Sequence, residues 1–205
     1  MQRFLDLPNL VTLVGLWLGF ASALLAGQGR LALGLLALVL AGVCDLLDGL
    51  VARRLGAGRS EEARRFGARL DSLVDACSFG AAPALILHAG WPGGPGALVG
   101  GLLLTCAVWR LAWFDTVGLS GEGTARYYTG LPTTYAALLL PVGGLLMLLG
   151  PDALRWGLAG AGLVQAVAMV SPVQVRKPWG PWYAILLALA AGMVAVYAWI
   201  AWRGP

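Results

Sequence analysis

Charge is what this chain has least of. Only 12% of its 205 residues are charged, against 59% hydrophobic, whereas a soluble domain carries about 25% charged residues. A soluble helical bundle would need polar faces recurring on most helices, and the long apolar stretches here offer almost none. Histidine is also scarce. His88 is the single one, and Cys44, Cys77 and Cys106 show neither CxxC nor Cys/His spacing. That excludes a disulfide framework and a thiolate–imidazole metal site, and leaves the cysteines as small packing residues. His88 falls at a span end and reads as interfacial rather than catalytic.

What the chain does have is a series of apolar runs of about 20 residues, each long enough for a hydrocarbon core about 30 Å thick. Spans are expected at 9–27, 31–53, 66–88, 96–115, 132–150, 154–172 and 181–202. The breaks carry turn chemistry: "AGQGR" at 26–30, "GWPGGPG" at 90–96 and "GPD" at 150–152. Residues 1–205 therefore read as one all-α integral membrane domain, a polytopic helical bundle. The first run, with Arg3 and "ASALLAG", has the outline of a signal peptide. Asp6 and Pro8 fit poorly in a basic leader, and further spans follow at once, so it is read as the first span.

Lys and Arg divide unevenly among the loops. With the N-terminus inside, Arg3, Arg53, Arg54, Arg59, Arg64, Arg65, Arg69, Arg110, Arg126, Arg176 and Lys177 fall on or near the cytoplasmic side. Only Arg30, Arg155 and Arg203 lie outside, a decisive bias. In a soluble protein the arginine cluster at 53–69 would suggest nucleic acid; between two spans it reads as a cytoplasmic loop, with no nucleic-acid partner. Trp91, Trp156, Trp179, Trp182, Trp199 and Trp202 lie near span ends, as interfacial aromatics do. "GLWLG" at 15–19 and "GALVG" at 96–100 are small-xxx-small patterns that serve close helix packing, within one chain or between two.

Against this background two acid pairs stand out, Asp45 with Asp48 and Asp71 with Asp75. Spacings of three and four put each pair on one helix face. Ser60 before Glu61 and Glu62 reads as an N-cap with acids in the first turn, so the third helix starts in water and runs into the membrane. At about 1.5 Å per residue from the outer ends near Leu31 and His88, Asp45 and Asp75 lie about 20–21 Å in, and Asp48 and Asp71 about 26 Å in. Two antiparallel helices thus offer carboxylates at two shared depths. Ionised at the bilayer centre, four aspartates would cost roughly 10–14 kcal/mol on insertion scales. Gly49 and Ala52 share the Asp45/Asp48 side, and Gly67 lies one turn before Asp71, leaving room for a ligand beside the acids.

The simplest neutralising partners are divalent cations. Oxygen-only ligands select hard ions, Mg²⁺ or Mn²⁺ before Zn²⁺, and two such ions could balance four carboxylates and clamp a pyrophosphate. Two other readings stand beside this one: buried pairs with Arg53, Arg54 or Arg69, and the ion path of a divalent-cation transporter. Transport needs access from both sides, and no charge continues through the outer half of either span.

The stretch "DLLDGLVAR" at 45–53 followed by "GARLDSLVD" at 67–75 closely resembles the signature of the CDP-alcohol phosphotransferase (CDP-alcohol phosphatidyltransferase class I) family, DxxDGxxAR, a loop, then GxxxDxxxD. The loop departs from the pattern: residues 54–66 make thirteen between Arg53 and Gly67, about five more than is usual in the family. "DSLVDACSFGAAPALIL" (71–87), "WRLAWF" (109–114), "YYTGLPTTYAA" (127–137) and "MVSPVQVRKP" (169–178) resemble its phosphatidylserine synthase branch. The resemblance implies a six-helix core over about 9–178 with an additional C-terminal span at 181–202. It also implies a homodimer in the cell (inner) membrane and an active site open to the cytoplasm. It makes Asp45, Asp48 and Asp71 metal ligands, and Asp75 a shared ligand and the catalytic base. It assigns Gly49, Ala52 and Gly67 to the cytidine pocket and Arg53 to the pyrophosphate. The implied substrates are CDP-diacylglycerol and serine, in phospholipid biosynthesis, with release of CMP. A serine carboxylate would need a cation, for which Arg110 and then Arg126 are the candidates. The same cations would suit glycerol 3-phosphate or inositol phosphate, and inositol or an amino alcohol are further acceptors within the family.

Overall fold

The structure, a computed structural model, describes residues 4–55, 60–120 and 126–203, the side chains of 53–55 excepted. Helix α1 (Leu7–Gly27) starts on Asp6, whose carboxylate accepts from the Asn9 amide at 3.2 Å, with Pro8 in the first turn where no amide is needed. Helix α2 (Leu31–Leu55) runs back beside it. Helix α3 (Glu61–Asp75) is capped by Ser60, which accepts from the Ala63 amide at 3.2 Å, and Glu61 and Glu62 complement the positive end of the helix dipole.

Directly after Asp75 the helix widens into a π-helical stretch, Ala76–Ala81, before continuing as α4 (Ala82–Gly90). The cause lies in the sequence. Pro83 has no amide for the Phe79 carbonyl and its ring crowds that carbonyl, so the backbone opens by one residue. Helix α5 (Pro95–Val117) descends again; strand β1 (Tyr127–Thr129), α6 (Ala136–Gly144), α7 (Pro151–Val170), strand β2 (Gln174–Arg176) and α8 (Pro181–Arg203) complete the chain.

Among the described residues, six helical stretches are long and apolar enough to cross a membrane: Leu7–Gly27, Leu31–Ala52, Glu61–Gly90, Pro95–Val117, Pro151–Val170 and Pro181–Arg203. The protein is an all-α polytopic membrane protein. The span expected over 132–150 is a shorter helix, Thr133–Leu149, in which 3₁₀ turns at Thr133–Tyr135 and Leu145–Leu149 flank α6. Because a 3₁₀ turn rises about 2.0 Å per residue against about 1.5 Å in an α-helix, these seventeen residues still reach about 30 Å.

The sequence patterns did not suggest strands, yet β1 and β2 pair antiparallel with Tyr128 opposite Val175. Three residues apiece, between Gly130 on one side and Pro172 and Pro178 on the other, are too few to show a period of two. The two small-xxx-small patterns both serve contacts within the chain. A Cβ on Gly19 would lie 2.8 Å from Ser78 Cα, and one on Gly100 would lie 2.6 Å from the Ala84 carbonyl oxygen. Leu35, Leu38, Ile86, Leu87, Leu103 and Leu140 fill the core, while Trp17, Leu98, Trp109 and Val164 point outward, where lipid is the solvent.

Candidate active site

All four sequence-selected aspartates line one cavity of about 260 Å³ at the end of the bundle near Ser60. Asp45 and Asp48 come from α2, Asp71 and Asp75 from the last turns of α3. Oxygens of Asp45, Asp48 and Asp71 lie within 4.8 Å of one another, close enough for a single cation. Asp75 adjoins this trio through its contact with Asp45. Among the described residues, no guanidinium or ammonium forms an ion pair with the four. Arg65 pairs with Glu61 and Arg155 with Asp152, away from the four, and Arg69 is exposed. Converging carboxylates without a cationic side chain between them fit a hard divalent ion.

Hydroxyl groups hold three of these carboxylates from behind. Thr12 on α1 donates to Asp48 Oδ2 at 2.6 Å, with the Pro8 carbonyl as its alternative acceptor at 3.1 Å. Thr133 donates to Asp75 Oδ2 at 3.2 Å, and Thr134 bonds to Asp45. Partners of this kind orient ligand groups and govern their affinity. The sequence patterns did not single out these threonines. The available signal was a lone hydroxyl in an apolar run for Thr12, and the "PTT" at 132–134 for the others.

The facing wall is cationic and aromatic. Arg110 is 5% exposed, lines the cavity and leaves its Nε without a hydrogen-bond partner. Its guanidinium stands 5.4 Å from the centre of the Phe114 ring and 5.6 Å from that of Tyr128, within cation–π range. Lys177, from the connection between β2 and α8, lines the same wall with its ammonium 5.9 Å from the Tyr128 ring. Burial pushes the Tyr128 phenol up to about 12, although the Arg110 charge pulls it back, so the hydroxyl stays protonated near neutrality.

The other sequence-selected residues are less uniformly placed. Gly49 lines the cavity. Ala52 and Gly67 are half-buried and lie outside the lining, and the Arg53 side chain falls outside the described residues. Arg126 is exposed and also outside the lining; its carbonyl accepts from the Lys177 amide at 2.9 Å, so the small sheet sets Lys177 at the wall. Asp115, unremarked in the sequence, accepts from Ser72 at 2.8 Å and ties α5 to α3. His88 is exposed on the last turn of α4, at the other end of the bundle.

The last helix also reaches the site. Tyr183, Leu186 and Ala190 of α8 join Val39 and Leu138 in the lining, giving the cavity an apolar side beside its charged ones.

The family model for CDP-alcohol phosphatidyltransferases matches residues 5–170, which contain all four acids and Arg110. The chain belongs to the CDP-alcohol phosphatidyltransferase family. Among relatives, it is 35% identical over 142 residues to the archaetidylserine synthase of Methanothermobacter thermautotrophicus, covering 68% of this chain and 58% of that protein. It is 35% identical over 139 residues to the CDP-diacylglycerol–serine O-phosphatidyltransferase of Mycobacterium leprae, covering 64% of this chain and 44% of that one. The enzyme of the same name from Saccharomyces cerevisiae is 33% identical over 154 residues, covering 68% and 54%. The matches thus span about half the length of these relatives. As a CDP-alcohol phosphatidyltransferase family member, the chain extends past the matched region through β2 and α8, and the connection after β2 (Lys177 and Pro178) and α8 both contribute to the cavity.

Proposed function

We propose that this chain transfers the phosphatidyl group of CDP-diacylglycerol to the hydroxyl of serine and releases CMP. The observation that carries the reading is one cavity with four carboxylates on one wall and a buried, stacked arginine on the other. The serine hydroxyl oxygen attacks the phosphorus bonded to diacylglycerol. As that bond forms, the bond from the same phosphorus to the oxygen bridging to CMP breaks, and CMP leaves with the electron pair. Asp75 accepts the hydroxyl proton. Asp45, Asp48 and Asp71, with Asp75 shared, would hold two Mg²⁺ or Mn²⁺ ions, which when bound offset the charge of the pyrophosphate and improve CMP as a leaving group.

The chain's own residues do the positioning. Arg110 receives the acceptor carboxylate with two charge-assisted hydrogen bonds, and its stacking on Phe114 and Tyr128 fixes the plane of the fork. Gly49, Ala52 and Gly67 give the cytidine close approach to the helix backbones, with Arg53 on the pyrophosphate. The apolar side formed by Val39, Leu138 and Leu186 suits the glycerol and acyl portion, so the lipid keeps its tails in the bilayer. The names of the relatives support serine as acceptor. The excess of Lys and Arg in the loops at this end supports a site open to the cytoplasm, in the inner membrane, and the family resemblance supports a homodimer.

The test is CMP release by purified protein given CDP-diacylglycerol, Mn²⁺ and each of serine, glycerol 3-phosphate, inositol phosphate, inositol, choline and ethanolamine. Serine is expected to support turnover, and Asp75→Asn to lower it by about 10²–10⁴-fold with folding intact. Turnover with another acceptor and none with serine would overturn the acceptor; wild-type turnover in Asp75→Asn would overturn the base.

A further inference from the structure

Helix α7 carries an amide deep in its apolar length. Gln165 is fully buried, and a buried polar side chain within a membrane span is costly and calls for a reason. Its Oε1 has no hydrogen-bond partner, while Nε2 faces the carbonyls of Pro132 at 3.3 Å and Thr133 at 3.4 Å. Those two carbonyls fix which end of the amide faces them, because an oxygen there would repel both.

The same end of α7 receives the preceding backbone. The Leu131 amide donates to the Ala168 carbonyl at 2.9 Å, and the Gly130 amide to the Val173 carbonyl just beyond the helix at 2.8 Å. Gly130 lies at φ +74°, and a Cβ there would fall 2.1 Å from the Met169 oxygen, so the approach requires glycine. Residues 130–133 are therefore fastened to α7 along their length. Their other side bears the threonines that bond to the acids: Thr133, itself fully buried, on Asp75, and Thr134 on Asp45.

We propose that Gln165 is a positioning residue for the reaction. By holding the carbonyls of Pro132 and Thr133, it fixes the Thr133 hydroxyl that orients Asp75. No group of α7 touches substrate in this arrangement; its effect passes through Thr133. The inference rests on the proposed role of Asp75, and its test carries a readout independent of turnover.

The experiment uses the full chain in detergent, as wild type, Gln165→Leu, Thr133→Val, Thr133→Ser and the Gln165→Leu/Thr133→Val double variant, each checked for a monodisperse folded species. Mn²⁺ affinity is read by electron paramagnetic resonance without substrates, and CMP release with CDP-diacylglycerol and serine is read in parallel. Gln165→Leu and Thr133→Val are expected to weaken Mn²⁺ binding by about 10-fold and to lower kcat by a similar factor, with KM for both substrates held within about twofold. Thr133→Ser keeps the hydroxyl and is expected to stay near wild type. The double variant is expected to be no worse than the poorer single, because both act through one hydroxyl.

Wild-type Mn²⁺ affinity and kcat in Gln165→Leu, or losses that multiply in the double variant, would overturn the proposal. If Gln165→Leu does not fold, Thr133→Val against Thr133→Ser decides, and equal Mn²⁺ affinity in the two overturns it. A wild-type chain that binds Mn²⁺ but releases no CMP with any acceptor would overturn the proposed function alone, and the Mn²⁺ isotherms would still decide the role of Gln165.

Discussion

The two walls of the cavity are built in different ways. Asp45, Asp48, Asp71 and Asp75 come from two consecutive helices, and every spacing within each pair is a helical one. The facing wall takes Arg110 from α5, Tyr128 from β1, Lys177 from the β2–α8 connection and Tyr183 from α8. The first wall is local in the chain and chemically uniform. The second is assembled from distant segments and mixes cations with phenols. On the proposed function, the difference separates two tasks: common handling of a nucleotide diphosphate by the acids, and choice of acceptor by the wall opposite.

That division can be broken by experiment, beginning at the acid wall. Asp48→Ala is expected to lower CMP release by about 10³-fold or more with every acceptor and to abolish tight Mn²⁺ binding measured without substrates. An Asp48→Ala protein that lost serine and kept another acceptor would erase the distinction between the walls. On the opposite side, Arg110→Ala is expected to raise KM for serine about 30-fold, equivalent to about 2 kcal/mol for a lost charge-assisted hydrogen bond. KM for CDP-diacylglycerol should stay within about twofold, and Arg110→Lys should fall between. Equal damage to both KM values would place Arg110 in nucleotide binding instead. The smallest effect is expected at Tyr197, fully buried on α8 and bonded through its hydroxyl to the Pro141 carbonyl. Tyr197→Phe removes one buried hydrogen bond, about 1 kcal/mol, and should lower Tm by about 2–4 °C while turnover is unchanged.

The acid wall was legible because its pattern is short and periodic. Asp45 and Asp48 lie three apart, Asp71 and Asp75 four apart, and antiparallel neighbours of similar length bring matching depths together. Arg110 was legible for another reason: a serine carboxylate needs a cation, and Arg110 lies near the cytoplasmic end of the fourth span. Its ring partners were not, because Tyr128 reaches it only through a strand pairing of three residues with β2. Lys177 was hidden by the same sheet, and the exposed Arg126 beside it had the same charge and a similar place in the loops. Thr12, Thr133 and Gln165 carry no charge and no spacing rule; only the folded contacts give them partners. The shortened Thr133–Leu149 helix was obscured because hydropathy counts residues, whereas a membrane is crossed in ångströms.

The π-helical stretch at Ala76–Ala81 bears on how this chain can vary. It sits between the last acid and the proline that forces it, and removing one residue there would restore an ordinary helix turned by about 100°. Ser78 and Gly80 would then leave their seats against α1 and α5, or the acids would swing out of the cavity. By contrast, the connection between Arg53 and Gly67 is about five residues longer than the resembled family pattern has there. Length is thus negotiable on the water side of the acids and forbidden immediately on their lipid side, so natural insertions and deletions should gather before Ser60 and be missing from the stretch between Asp71 and Pro83.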